Sequence, residues 1–158
     1  MKTIYNKTQK GIIAIILLII LAFMSYSYFY QTGSKPLPFI PYIVLMIVFI
    51  AIILLFYKLT ITIDNEKITA IFGIGIFKKS MNLIDIHSIE SYKIPWYAGI
   101  GVRLTPKGWL WNVKMGKAIL IQNKSKTQTF LVGSNEVNKI ISVLEKNTNL
   151  VEINSDNT

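Results

Sequence analysis

Two stretches of this 158-residue chain, Gly11 to Ser34 and Pro36 to Tyr57, contain no charged side chain. At ~1.5 Å of rise per residue, about 20 helical residues cross a ~30 Å hydrocarbon core, and each stretch is long enough. The first, "GIIAIILLIILAFMSYSYFY", is mostly Leu and Ile and then gathers Tyr26, Tyr28 and Tyr30, the residue type that settles at headgroup level. The second, "PFIPYIVLMIVFIAIILLFYK", has Tyr42 near one end and Tyr57 with Lys58 at the other. Between them "QTGSKPLP" carries Gly and Pro turn signals. The reading is a transmembrane helical hairpin, with helices over 12–30 and 39–57 joined by an external loop at 31–38.

The cations orient this hairpin. Lys2, Lys7 and Lys10 precede it and Lys58 and Lys67 follow it, while the loop carries only Lys35. The positive-inside bias then expects a two-span cell-membrane protein with both termini cytoplasmic, residues 1–11 forming a short N-terminal segment. A cleaved signal peptide would share the basic start, but the apolar run is too long for its core and no small-x-small cleavage pattern follows. The chain has no cysteine, which removes disulfides, thiolate catalysis and Cys-based metal sites.

From Lys58 onward the apolar period is two. In "KLTITID" Leu59, Ile61 and Ile63 face one way and Thr60 and Thr62 the other, and "DNEK" then turns the chain into "ITAIFG". Short runs continue through "IFKKSMNL", "DIHSIESYKI", "GIGVRLTP", "GWLWNVKM", "KAILIQN" and "TQTFLVG", which amounts to seven or eight antiparallel strands in a barrel or sandwich. After Gly133 the period becomes helical: Val137, Ile140, Ile141 and Leu144 share a face, Ser134 or Asn135 can cap, and Lys146 suits the last turn. The expected class is α+β: a membrane hairpin, then a soluble domain over 58–147 closed by one helix at about 134–147, with 148–158 a flexible tail.

"LTITIDNEKI", "FGIGIFKKSMNLIDIHSIE", "WYAGIGVRLTPKGWLWNVKMGKAILI" and "FLVGSNE", in that order, resemble the bacterial pleckstrin-homology-like (PH-like) domains of small membrane proteins, which often follow a helical hairpin. The resemblance covers roughly Leu59 to Leu144. It implies a PH-like barrel, no enzymatic activity, and a cytoplasmic domain for assembly or membrane-surface interaction. Similar proteins in some bacteriocin gene clusters serve immunity, the producer's self-protection. Where the family more often has a small, glycine-rich strand after the arginine, this chain places Trp109 and Trp111.

The residues themselves support no catalytic or cofactor reading. "FGIGIF" and "YAGIGVR" each hold Gly-x-Gly, but neither has a third glycine at dinucleotide spacing or a following Lys-Ser/Thr, and neither opens a helix. Gly73 and Gly75 read as a turn, Gly99 and Gly101 as a bend where the sheet closes. His87 is the sole histidine, with Asp85 two residues away, too few ligands for a metal shell, and it reads as a solvent-facing strand residue. No "GxSxG" elbow accompanies Ser80, Ser88 or Ser91. No cofactor is expected.

Charge says more. The chain has a formal net charge of +9, and between Glu90 and Glu136 it has no acid at all, only Lys93, Arg103, Lys107, Lys114, Lys117, Lys124 and Lys126. Such a surface on a tethered domain can meet anionic headgroups, at about 1 kcal/mol per basic residue near the leaflet. Trp96, Tyr97, Trp109 and Trp111 are natural interfacial companions, although Trp96 and Trp111 can equally be core. The candidate membrane or partner face is Lys93, Trp96, Arg103, Lys107, Trp109, Lys114 and Lys117, with Arg103 alternatively pairing with Glu90 or Asp85 across strands. Expected partners are membrane lipids, anionic ones among them, a protein partner or a second copy. Nucleic acid is not expected, since the cations form no recognised nucleic-acid motif.

Overall fold

The computed structural model describes residues 3–31 and 38–148. Helices α1 (Ile12–Phe29) and α2 (Phe39–Phe56) fall within a residue of the sequence expectation. Both are long and apolar enough to cross a membrane, and almost none of their surface is buried within the protein, so they are not core helices of a soluble fold. They pack on each other through Tyr28 stacked on Tyr42, ring centroids 4.3 Å apart, and a Ser25 Oγ to Tyr42 hydroxyl contact of 3.1 Å. Most of the 31–38 loop and the tail from 149 lie outside the described residues. Thr148, expected as the start of the tail, is instead buried and bonds back to the Leu144 carbonyl.

The segment before α1 is not a separate N-terminus. Thr3–Lys10 forms strand β1, which pairs antiparallel with β2 (Lys58–Asp64), the strand that follows α2. The soluble domain is therefore assembled from both flanks of the hairpin, which forces both flanks onto one side of whatever the hairpin crosses. Strand β1 escapes a hydrophobic-pattern reading because its buried positions are Tyr5 and Gln9, with Lys7 half-buried between them. Those side chains bind the start of the last helix. Gln9 Nε2 donates to the Gly133 carbonyl at 3.1 Å, the Asn135 amide donates to Gln9 Oε1 at 3.2 Å, and Lys7 and Tyr5 both hold Glu136.

The sequence reading expects seven or eight strands from Lys58 onward, and the described residues have eight there. They are β2, β3 (Lys67–Phe72), β4 (Lys78–Asn82), β5 (Ile86–Lys93), β6 (Gly101–Thr105), β7 (Gly108–Asn112), β8 (Lys117–Asn123) and β9 (Thr129–Gly133). They do not close into one barrel. Among the described residues they and β1 form a four-stranded meander, β1-β2-β3-β4, and a five-stranded sheet in the order β5-β8-β9-β7-β6. The second sheet is mixed, since β7 and β9 run parallel, Leu110 opposite Leu131.

Helix α3 (Val137–Asn147) closes the domain and buries Val137, Ile140 and Leu144, as its periodicity dictates. It begins three residues later than expected because Ser134 Oγ accepts the Glu136 amide in a preceding turn and does not cap the helix. The main core lies between the sheets and α3: Leu59, Ile61 and Ile63 from the meander meet Trp111, Ile119, Phe130 and Val132. A second cluster on the outer face of the five-stranded sheet joins Leu110, Leu120 and Leu131 to Ile94 and Ala98. Strands β8 and β9 are thus covered on both faces, which is why "AILI" and "FLV" are unbroken apolar runs.

Candidate membrane-facing site

The hairpin is joined to the domain without slack. Tyr57 alone separates α2 from β2, while Gly11 alone separates β1 from α1 and donates its amide to the Tyr57 carbonyl at 2.7 Å. A Cβ on Gly11 would stand 2.3 Å from the Phe56 carbonyl oxygen. The β3–β4 turn closes the same junction from the other side. Gly73 donates to Lys58 at 2.8 Å and Ile74 to Leu54 at 3.2 Å, and a Cβ on Gly73 would meet the Leu54 oxygen at 2.2 Å. Its φ of +50° is the left-handed conformation that glycine adopts without strain. Aromatic contacts continue inward, with Phe56 5.5 Å from Phe72 and Phe72 5.6 Å from Trp111.

The start of β6 and the end of β7 belong to this junction. Ile100, Gly101, Asn112 and Val113 line one small crevice with Ile13 and Phe56 from the two apolar helices. Asn112 is buried and ties the region together, accepting the Gly101 amide at 3.1 Å and donating to the Gly99 carbonyl at 3.0 Å. Gly99 (φ +68°) and Gly101 (φ +117°) form the bend read from the sequence, following a short 3-10 turn, Trp96–Ala98. A strand, β6, and not a helix follows this bend.

Several of the sequence-derived face residues gather around that end. Lys114 and exposed Met115 lie in the turn after Val113. Lys93 and Lys117 are cross-strand partners, held by the Ile94 amide on the Gly116 carbonyl at 2.9 Å. Like charges directly opposite on a sheet are unfavourable. The arrangement recurs at the helix ends, where Lys10 opposes Lys58 and the Lys58 ammonium stands 5.1 Å from the Tyr57 ring centroid. Among the described residues every ion pair goes to Glu136, so these lysines have no protein carboxylate.

Arg103 folds back toward the same bend. Its Nε donates to the Ile100 carbonyl at 3.3 Å, and its guanidinium occupies the space a Cβ on Gly99 would need. It does not pair with Glu90 or Asp85: β6 and β5 are opposite edges of the sheet, and Asp85 instead accepts from Asn82 at 3.0 Å. Arg103 borders an open cavity of about 310 Å³ with Tyr92, Tyr97 and Thr105.

The tryptophans divide. Trp96 is 84% exposed, its ring 6.1 Å from that of exposed Tyr97, so the core alternative fails for it. Trp111 is core at 9% exposure, which removes it from any interface, and its indole Nε1 has no hydrogen-bond partner. Lys107 and Trp109 lie at the other end of the β6–β7 hairpin, where exposed Trp109 stands opposite exposed Leu104, and so form no part of the junction cluster. His87 is exposed on β5 as read.

Sequence reasoning missed Lys10, Lys58 and the β3–β4 turn as parts of this surface. No local signal places them at the same end as Lys114; the packing of Gly11, Phe56 and Phe72 against Asn112 and Val113 does. Comparison with family models, curated proteins and solved structures returned no match for this chain.

Proposed function

We propose that this is a non-catalytic integral membrane protein whose two-helix hairpin holds a PH-like domain against the inner leaflet, where its basic and aromatic end engages anionic headgroups. The observation that carries the reading is the slack-free junction: Gly11 and Gly73 clamp the end of α2, and Ile100 and Val113 share a crevice with Ile13 and Phe56. A surface so attached stays within about a Debye length, ~8–10 Å, of the lipid. Lys10, Lys58, Lys93, Arg103, Lys114 and Lys117 then contribute about 1 kcal/mol each toward anionic lipid. Trp96 and Tyr97 supply amphipathic rings for the headgroup layer. Lysines paired face to face without carboxylates suit a surface whose counter-ions come from elsewhere.

The test uses the full chain reconstituted in vesicles. The Trp96-dependent emission, isolated by comparison with Trp96→Phe, should be quenched more by brominated phosphatidylglycerol than by brominated phosphatidylcholine. The difference should shrink with salt and in a Lys93→Glu/Lys114→Glu/Lys117→Glu variant. Equal quenching by both lipids would leave the cations as ordinary solvated surface.

A further inference from the structure

From the β3–β4 turn we infer a third point of membrane entry: Ile74 and Ile76 are immersed in the leaflet beside the last turn of α2, at the boundary of headgroups and acyl chains. This rests on the membrane reading of α2 and adds to it an element that no hydrophobic span contains.

The turn projects beyond the sheet in the direction of the helix. Phe72 pairs with Leu59 at the start of β2, so residues 73–77 lie past the last strand pair. There the Ile74 amide donates to the Leu54 carbonyl. Leu54 is three residues before Tyr57, which places the turn ~4.5 Å along the helix axis from its end. The turn is also shaped for this depth. The Gly75 amide bonds to the Phe72 carbonyl and the Phe72 amide to the Phe77 carbonyl, and with the Gly73 and Ile74 amides bonded to Lys58 and Leu54 these donors are withdrawn from solvent, which lowers the cost of entering the headgroup boundary.

Its side chains match their position. Ile74 is 58% and Ile76 68% exposed, and Leu54, to which the turn is bonded, is an exposed residue of α2. The apolar surface of the helix thus continues onto the turn without interruption. Phe77 stacks on Phe56 at 5.8 Å and anchors the turn to the helix end. Exposed Lys78 follows immediately, a cation in the place where a long stem lets its charge reach the headgroups, while the Lys79 ammonium turns inward to the Thr129 carbonyl at 2.6 Å. A wedge of two isoleucines followed by an exposed lysine and clamped to a spanning helix fits a lipid leaflet.

The absence of cysteine makes the experiment direct. Single-cysteine variants Leu54→Cys, Ile74→Cys, Ile76→Cys and Ile84→Cys of the full chain carry a nitroxide in phosphatidylcholine vesicles, and collisions with oxygen and with a water-soluble nickel chelate are compared. Ile84 is the control. It is 76% exposed but lies at the far end of the meander, next to Leu83, whose amide bonds to Glu66 in the β2–β3 turn. The oxygen-to-nickel ratio should be several-fold higher at Ile74 and Ile76 than at Ile84, and close to that at Leu54. Nickel access at Ile74 and Ile76 equal to that at Ile84, with Leu54 protected, overturns the immersion and leaves the anchored domain standing. A water-accessible Leu54 overturns both. Because the lipid is uncharged, the result is independent of any preference for anionic headgroups.

Discussion

The two flanks of the hairpin should fold together once the hairpin is removed. Gly11 and Tyr57 are already hydrogen-bonded neighbours, so replacing residues 12–56 with Asn-Gly joins β1 to β2 through a two-residue turn of the kind that closes antiparallel strands. The expected product is a water-soluble, cooperatively folding domain. A fragment beginning at Lys58 should not match it. That fragment lacks Tyr5, which is buried in the main core and donates to Glu136 at 3.0 Å. Truncating a buried aromatic costs about 3–5 kcal/mol, against a total stability of about 5–15 kcal/mol for a domain. The fragment also loses the bonds of Lys7 and Gln9 and bares the edge of β2. Urea titration followed by circular dichroism compares the joined domain, its Tyr5→Ala variant and the fragment. Stability should fall in that order, with the fragment largely unfolded or aggregated. A fragment as stable as the joined domain would refute the claim that β1 is structurally part of it.

Other expectations can be measured on the same joined domain or the full chain. Gly75→Ala meets only the conformational penalty of φ +100°, roughly 1–2 kcal/mol, because its nearest neighbour is a side-chain carbon at 3.7 Å. Gly73→Ala adds a collision with the Leu54 carbonyl in the full chain, so there it should be the more damaging of the two, and thermal unfolding in detergent tests the order. Hydrogen bonds from Lys7 and then Tyr5 hold the Glu136 carboxyl below its ordinary value, so its contribution is present at neutral pH and lost as the pH falls through the folded-state value. Burial and then the bond to Glu136 raise the Tyr5 phenol, whose contribution is complete below its ordinary value near 10 and fades in stronger alkali. Acid unfolding of a Glu136→Gln variant should lose the first of these dependences. Trp111→Phe removes an indole N–H that has no partner, and relief of about 1–3 kcal/mol offsets the lost packing. Its unfolding midpoint should stay near that of the parent, unlike Phe72→Ala, which only opens a cavity.

Local pattern alone determined much of this protein. Uncharged runs longer than a bilayer is thick specify helices at 12–29 and 39–56, and alternation along "KLTITID" and the helical spacing of Val137, Ile140 and Leu144 specify which faces turn inward. These features depend on residues near one another in the chain. Tertiary structure decided the rest. β1 is invisible to pattern because Lys7 and Gln9 on its inner side are polar and become satisfied only when Glu136 and Gly133 arrive from the other end of the chain. Among the described residues two sheets form instead of one barrel because β4 and β5, consecutive in the chain, do not pair, and within the second sheet β9 inserts between β7 and β8, an order with no local cause. Arg103 turns toward Gly99 and not toward an acid, and Trp111 is core while Trp96 is exposed, because strand order and burial are properties of the assembled sheets. The glycines of "FGIGIF" look like any turn in sequence. Only the carbonyls of α2 packed against Gly73 make that turn the clamp between the two apolar helices and the domain.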